Sequence, residues 1–424
     1  MRIKQISVKK LFGVFDHTIP LNQEDRITII HGPNGYGKTV LLRMIDGFFN
    51  EDYEILHNTP FDELRLDFTH KSYVRLVPDH NNPDVRVNVF FSKSGSKEEQ
   101  SRLQFVAEDQ FVQEKPSEPA SIVSVISSGS IWGSHIKSYP DPEWLIAVRN
   151  SVNAHLVKTD RLHKFSSSKK DKRSSSSFDL IFRVTDRQTG LTVEGYTNEL
   201  AENIQKTKAR YAEFSQELDR TFPTRLLSAV ASAELTDEEI QQSWKTLSEK
   251  RERLIAAGLL ENGHDAGVEI PAKIDDAAKK NALSIYLHDT KEKLEVFDDL
   301  AARIDLFQRI IRQRFQFKIM IVGKKQGFAF VTAGGDLLSV DRLSSGEQHE
   351  LVLLYELLFK VEPDSLILID EPELSLHVAW QSQFLKDLQA IIKLVPMDFL
   401  IATHSPDIIS DRWDLTVELK GPQQ

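Results

Sequence analysis

Cysteine is absent from all 424 residues. That excludes disulfides, a thiolate zinc site and a thiol nucleophile, so any chemistry must come from oxygen and nitrogen groups, and the reading is a reducing, cytoplasmic setting. Long apolar runs are missing too. None approaches the roughly 18 to 20 residues that span a bilayer, and "MRIKQISVKK" scatters charge where a signal peptide needs an apolar block. No membrane partner is expected. Positive charge is not in excess: 53 Lys+Arg against 63 Asp+Glu leave a net charge of -10. Nucleic acid is then possible only through a local basic patch, and the overall field does not support it. What is present, 40% hydrophobic and 27% charged residues over a length sufficient for two or three structural units, is ordinary for a self-supporting globular protein.

One segment states its chemistry outright. "RITIIHGPNGYGKTVLLRMIDGFF", from Arg26 to Phe49, runs from a β-branched strand through a glycine-rich turn into a helix with apolar positions at Leu41, Leu42, Ile45 and Phe49. Gly32 to Thr39 matches G-x-x-x-x-G-K-T in the strand–loop–helix context that a phosphate-binding loop requires. Backbone N–H groups must wrap a triphosphate closely, which is why glycines recur there. Gly32, Pro33, Asn34, Gly35, Tyr36, Gly37, Lys38, Thr39 and Val40 are expected to line the site, with Lys38 reaching the β and γ phosphates and Thr39 giving a hydroxyl to Mg²⁺. The bland alternative is a strand-to-helix turn that happens to hold Lys and Thr, and the context speaks against it.

Two further strands end in reactive groups. "SLILIDEPELSLH" delivers Asp370 and Glu371 at the carboxyl end of an apolar strand, the edge where ligands sit in parallel α/β sheets. Asp370 is expected to hold Mg²⁺ and Glu371 to take the proton of an attacking water. "FLIATHSP" repeats the design and ends in His404, whose neutral imidazole can hydrogen-bond a γ-phosphate. A solvated acidic turn and a surface histidine are the competing readings. "LSSGEQHE", Leu343 to Glu350, precedes an apolar run and by itself reads first as a helix N-cap with a capping-box glutamate, a preference that its position 26 residues before Asp370 (370 minus 344) reverses.

Taken in order, the phosphate loop, "LSSGE", "LILIDEP" and "THSP" resemble the ABC-type ATPase core of the SMC, RecF and overcoming-lysogenization-defect (OLD) ATPases. The resemblance covers about residues 1 to 60 and 316 to 424. It implies an α/β fold, an ABC-type P-loop ATPase core with a mixed sheet interrupted by an inserted helical, short coiled-coil arm. It also implies ATP and Mg²⁺ as cofactors, and a signature (Ser344, Ser345, Gly346 and Glu347) that closes on ATP held by another copy in a head-to-tail homodimer or higher oligomer. Ser375 would fall in the loop that crosses that interface. Phe12 and Phe15 are expected to be core residues more than base-stacking ones, and Gln104 is a candidate for the Q-loop glutamine.

Between the ends, residues 61 to 195 read as strands and loops, with "KFSSSKKDKRSSSSF" (Lys164 to Phe178) as a disordered surface loop. Helical spacing then begins, at Leu200, Ile204, Tyr211, Phe214 and Leu218 and again at Leu294, Phe297, Ala301, Ile304 and Ile311 within one later helix. The expected organisation is an N-terminal ATPase lobe, 1–195, an arm of short antiparallel helices, 196–315, turning near "ENGHDAGVEIPAK", and a C-terminal lobe, 316–424. Only 20 residues follow His404, so a fused TOPRIM nuclease is not expected and any effector should be another chain. The pattern looks most like OLD-type ATPases and their relatives in Septu, retron-associated and PARIS anti-phage systems. A RecF- or SMC-like ATPase of DNA repair is the alternative.

Overall fold

The structure is a computed structural model that describes residues 1–79, 85–93, 97–104, 141–157, 186–228, 235–261, 273–274, 276–323, 326–374 and 376–422. The Ser-rich segment 164–178, nearly all of the turn around 262–272 and Ser375 lie outside the described residues. β1 (Ile3–Leu11) and β2 (Phe15–Pro20) form a hairpin, and β3 (Ile27–His31) leads into helix α1 (Lys38–Phe49). Then come β4 (Glu63–Phe68), β5 (Tyr73–Pro78), β6 (Val85–Ser92), β7 (Glu99–Gln104) and β8 (Ala154–Val157). β9 (Lys318–Gly323), β10 (Gly327–Thr332) and β11 (Leu337–Leu338) precede β12 (Leu366–Asp370), β13 (Asp398–Ala402) and β14 (Thr416–Glu418). Packing divides the chain into two compact units, Met1–Arg183 with Val361–Gln424, and Val184–Lys360.

The first unit contains two sheets of different character. The sheet β14-β3-β13-β12-β8 is parallel throughout, and ITIIH, LILID and DFLIA are buried along nearly their whole length. Continuous apolar runs are what a sheet covered on both faces demands. The sheet β2-β1-β4-β5-β6-β7 is antiparallel. Its strands alternate: Leu64, Leu66, Phe68, Val74 and Leu76 are buried, while Arg65, Asp67 and Arg75 take the other face. Leu41, Leu42, Met44, Ile45 and Phe48 of α1 enter the core that both sheets share. Gln104 is the last residue of β7, paired with Val85 of β6, and so stands in a strand.

The second unit carries the expected inserted helices. Its first helix, Asp186–Ser228, is 43 residues long, where short helices were expected. Tertiary packing supports it at one end: Val193, Tyr196, Leu200 and Ile204 are buried, whereas Tyr211, Phe214 and Leu218 are half-buried. The later apolar run is split as well. Leu294 lies in the last turn of one helix (Ala277–Glu295) and Phe297 caps the next (Asp298–Arg314), so the pattern crosses a junction although all five of its residues are buried. The helix Asp237–Ala256 opens on a capping box, Thr236 with Glu239. It ends against the sheet: Leu254, Ala257 and Leu259 are buried, and a Cβ on Gly258, at φ +74°, would fall 2.4 Å from the Val322 carbonyl oxygen of β9. Only glycine permits that approach.

Residues 316–360 pack in this second unit too, since β9, β10 and the helix Ser345–Tyr355 bury their apolar faces against helices 186–228 and 298–314. Tyr196 stacks on Tyr355 at 4.5 Å, and Phe307 meets Phe328 edge-on at 5.6 Å. The helix Ser345–Tyr355 continues as a π turn, Glu356–Lys360. The Tyr196 hydroxyl donates to Glu356, Arg303 Nη1 donates to the Leu358 carbonyl at 2.5 Å, and Lys360 pairs with Glu199 at 3.0 Å. Among the described residues no helix is long and apolar enough to cross a membrane.

Candidate functional site

Three neighbouring parallel strands set up the site. β13 lies between β3 and β12, with Ala402 opposite both Ile30 and Asp370. The segments that leave the carboxyl ends of these strands, 32–37, 371–374 and 403–405, therefore meet at one sheet edge.

The loop after β3 is bent by its glycines. Gly32, Gly35 and Gly37 have φ of +151°, +86° and +85°, and Gly37 is also the N-cap of α1. A Cβ at Gly37 would fall 2.4 Å from Leu11 Cδ2, so strand β1 closes one side of the loop. Pro33, Asn34 and Gly35 are exposed, while Tyr36 and Val40 pack partly against the core. Lys38 is buried, and its Nζ donates to the carbonyls of Gly32 at 2.6 Å and Pro33 at 3.1 Å. Burial holds its pKa below the usual lysine value, with Glu371, Asp370 and Glu373 pulling the other way.

Thr39 donates its hydroxyl to Asp370 Oδ1 at 3.1 Å. Burial pushes the Asp370 carboxyl up to about 6, the Thr39 bond opposing the shift. Glu371 follows in the left-handed region at φ +45°, its N–H held by the Ala402 carbonyl at 2.8 Å. That bend turns its carboxylate toward β13, and Oε1 lies 2.7 Å from His404 Nε2. Lys38, Thr39, Asp370, Glu371 and His404 are thus brought together as the motifs suggested.

Other contributors were not singled out in the sequence. Glu373 accepts from Thr403 Oγ1 at 2.8 Å and from the His404 N–H at 3.0 Å. Buried Gln381 donates to the carbonyls of Glu373 and Leu376 and accepts from Ser405 Oγ at 3.1 Å. His17 of β2, its pKa lowered by burial, donates Nε2–H to the Tyr36 carbonyl at 2.9 Å. Glu373 had a local signal, a second acid two residues after Glu371; His17 had none, since its partner is met only through the fold. Phe15 is half-buried beside Tyr36, ring centres 5.2 Å apart. Phe12, expected in the core, is 41% exposed; it sits at φ +55° in the hairpin turn, with its ring edge near Gly37 of the loop. A cleft of about 800 Å³ opens beside this hairpin, lined by Lys10, Asp16, His17 and Thr18 on one side and Glu418 to Pro422 on the other.

The signature segment lies in the second unit. Ser344 is the N-cap of helix Ser345–Tyr355 and forms a complete capping box: Glu347 N–H donates to Ser344 Oγ at 3.3 Å and Ser344 N–H to Glu347 Oε2 at 2.8 Å. Burial raises the Glu347 carboxyl, but Lys318, at 2.7 Å from both oxygens, and Ser344 bring it net below its usual value. Gln348 braces the turn by donating to the carbonyls of Val340, Asp341 and Leu343. Ser344 and Ser345 are exposed and Gly346 half-buried.

The class that fold and site define is an ABC-type P-loop ATPase core carrying a helical insertion. Residues 1–409 match the AAA ATPase domain family, and the chain belongs to it. Solved structures with similarity include the Smc head domain of Pyrococcus furiosus with an extended coiled coil, bound to the C-terminal domain of ScpA. It is 13% identical with TM-score 0.37, and the match covers 99% of this chain and 94% of that one. The SMC head domain of Thermotoga maritima is 12% identical with TM-score 0.33, covering 96% and 91%. Likenesses this remote carry no functional weight.

Proposed function

We propose that this chain binds ATP with Mg²⁺ and hydrolyses it, and that two or more copies close on the nucleotide as a switch acting on a separate effector. The observation that carries the chemistry is the convergence of Lys38, Thr39, Asp370, Glu371 and His404 at the edge of adjacent parallel strands. Lys38 is held by two carbonyls of its own loop, neutral partners that a triphosphate's β and γ oxygens would outcompete. The residues present suit a magnesium ion: a hydroxyl and a carboxylate, both hard oxygen donors, stand together, and the carboxylate is one that burial disfavours as an anion. Bound there, the ion would neutralise phosphate charge. Glu371 is proposed as general base, and His404, whose Nε2–H donates to it at 2.7 Å, as the group that orients it. The cleft flanking Tyr36 would take the nucleoside end.

Lys38→Ala should lose nucleotide affinity, whereas Glu371→Gln should still bind ATP and hydrolyse it at least about 100-fold more slowly, the scale of a missing general base. Equal ATP affinities in the two variants would remove the assignment.

The first unit is proposed as the nucleotide holder and the second as the part that presents Ser344 to Glu347 to another copy. An exposed, capped helix N-terminus is suited to receive a γ-phosphate. The effector is proposed to be a separately encoded protein such as a nuclease, in cytoplasmic anti-phage defence. This rests on the motif resemblance and on the second unit, whose helices are not needed to hold phosphate. ATP-dependent co-purification with the product of a neighbouring gene, present for Glu371→Gln and lost for Lys38→Ala, is the expected result. DNA cleavage by the purified chain alone with Mg²⁺ would overturn the separate effector.

A further inference from the structure

Glu373 sits in the short 3-10 turn Pro372–Leu374 that follows Glu371, yet its side chain is spent on the neighbouring strand's loop. One oxygen takes the Thr403 hydroxyl at 2.8 Å and the other the His404 backbone N–H at 3.0 Å. Both oxygens are therefore engaged by the 403–405 segment. Thr403 is itself fully buried, anchored by its N–H to the Ile30 carbonyl at 3.1 Å, and its Oγ1 also accepts from the Ser405 N–H at 2.9 Å. Gln381 closes the frame from behind. Its amide donates to the Glu373 carbonyl at 3.2 Å and takes the Ser405 hydroxyl at 3.1 Å. The backbone of 403–405, where β13 ends and no ladder continues, is thus clamped from the 371–374 segment by bonds to a carboxylate, roughly twice as strong as neutral ones.

We propose that Glu373 is a positioning residue: it fixes the backbone of His404, and through it the distance between the His404 imidazole and Glu371. The proposal rests on the ATPase reading above. The Glu371 bend at φ +45° and the 2.7 Å Glu371–His404 contact require both loops in register, and Glu373 is the carboxylate that takes the His404 backbone N–H. The clamp also ties the segment bearing Leu374, 60% exposed, to the His404 loop, so a displacement of that segment would be felt at His404.

The test combines kinetics with amide exchange on the full chain. Glu373→Ala should lower kcat for ATP about 10- to 100-fold, the range of a misplaced acid–base group, with KM changed less than about threefold. Glu373→Gln, which keeps an acceptor for the His404 N–H, should recover most of the rate. In a His404→Ala background Glu373→Ala should cost nothing further, since coupled groups are not additive. In the nucleotide-free protein Glu373→Ala should speed exchange of the His404 amide at least about tenfold while Leu400 and Ile401 stay protected. An equal loss in both backgrounds, a rise in KM that accounts for the rate, or unchanged His404 exchange would each overturn the proposal. If Glu373→Ala does not fold, Thr403→Val, nearly isosteric and lacking one anchor, carries the same readouts, and wild-type rate and exchange there would overturn it. A wild-type chain that hydrolyses no ATP defeats the ATPase reading instead, and the exchange arm still decides whether Glu373 clamps His404.

Discussion

Replacing Glu356 by glutamine should flatten the pH dependence of stability, and the size of the effect follows from where Glu356 lies. It is 0% exposed in the π turn that ends the signature helix, with the Tyr196 hydroxyl on one carboxylate oxygen and no hydrogen-bond partner on the other among the described residues. Burial raises its pKa from 4.5 to about 7, Lys360 pulling the other way. A carboxyl whose folded pKa is raised holds its proton more tightly in the native chain than in the unfolded one. Stability therefore falls as pH climbs from about 4.5 through about 7 and levels off above. Between about pH 5.5 and pH 8.5 the loss integrates to about 2 kcal/mol. Glutamine keeps an acceptor for Tyr196 and does not titrate. Whatever constant cost its own amide N–H groups carry cancels when the two proteins are compared across pH. Urea unfolding at several pH values should show wild type losing about 2 kcal/mol relative to Glu356→Gln over that interval. Parallel curves would mean that Glu356 ionises at no cost, which its burial forbids, and would refute the reasoning.

Mixing Lys38→Ala with Ser344→Arg chains should restore part of the ATPase activity that each lacks alone, because one composite site in a mixed dimer keeps both intact halves. No recovery in verified mixed dimers would confine the signature to its own chain. His404→Ala should bind ATP within a few-fold of wild type but turn it over about 10- to 100-fold more slowly; a matching loss of affinity would make it a binding residue instead. Gly47→Ala should destabilise by about 1–3 kcal/mol despite alanine's better helix propensity. A Cβ there would fall 2.4 Å from the Asp52 carbonyl oxygen and 2.8 Å from Ile55 Cγ2. A raised unfolding temperature would show that the 46–55 turn can yield.

The residues of the candidate site were legible in the chain because each of its parts is local. A phosphate loop needs a strand, closely spaced glycines and a helix start within a dozen residues, and Asp370, Glu371 and His404 each follow a continuous apolar strand of the kind that only a covered parallel sheet uses. The capping box of Ser344 and Glu347 was equally readable, since its two partners are three residues apart. Distance in sequence marks what was not. Strand order put β13 between β3 and β12 and so set His404 beside Glu371, while His17 found the Tyr36 carbonyl from a hairpin of another sheet. Periodicity showed Phe297 as a buried position but not that the helix breaks there, because a junction that keeps the same face inward leaves the spacing intact. The 43-residue helix and the return of residues 254–259 onto β9 depend on which surfaces were available to cover apolar faces. That choice is made by all the elements at once, and no window of sequence contains it.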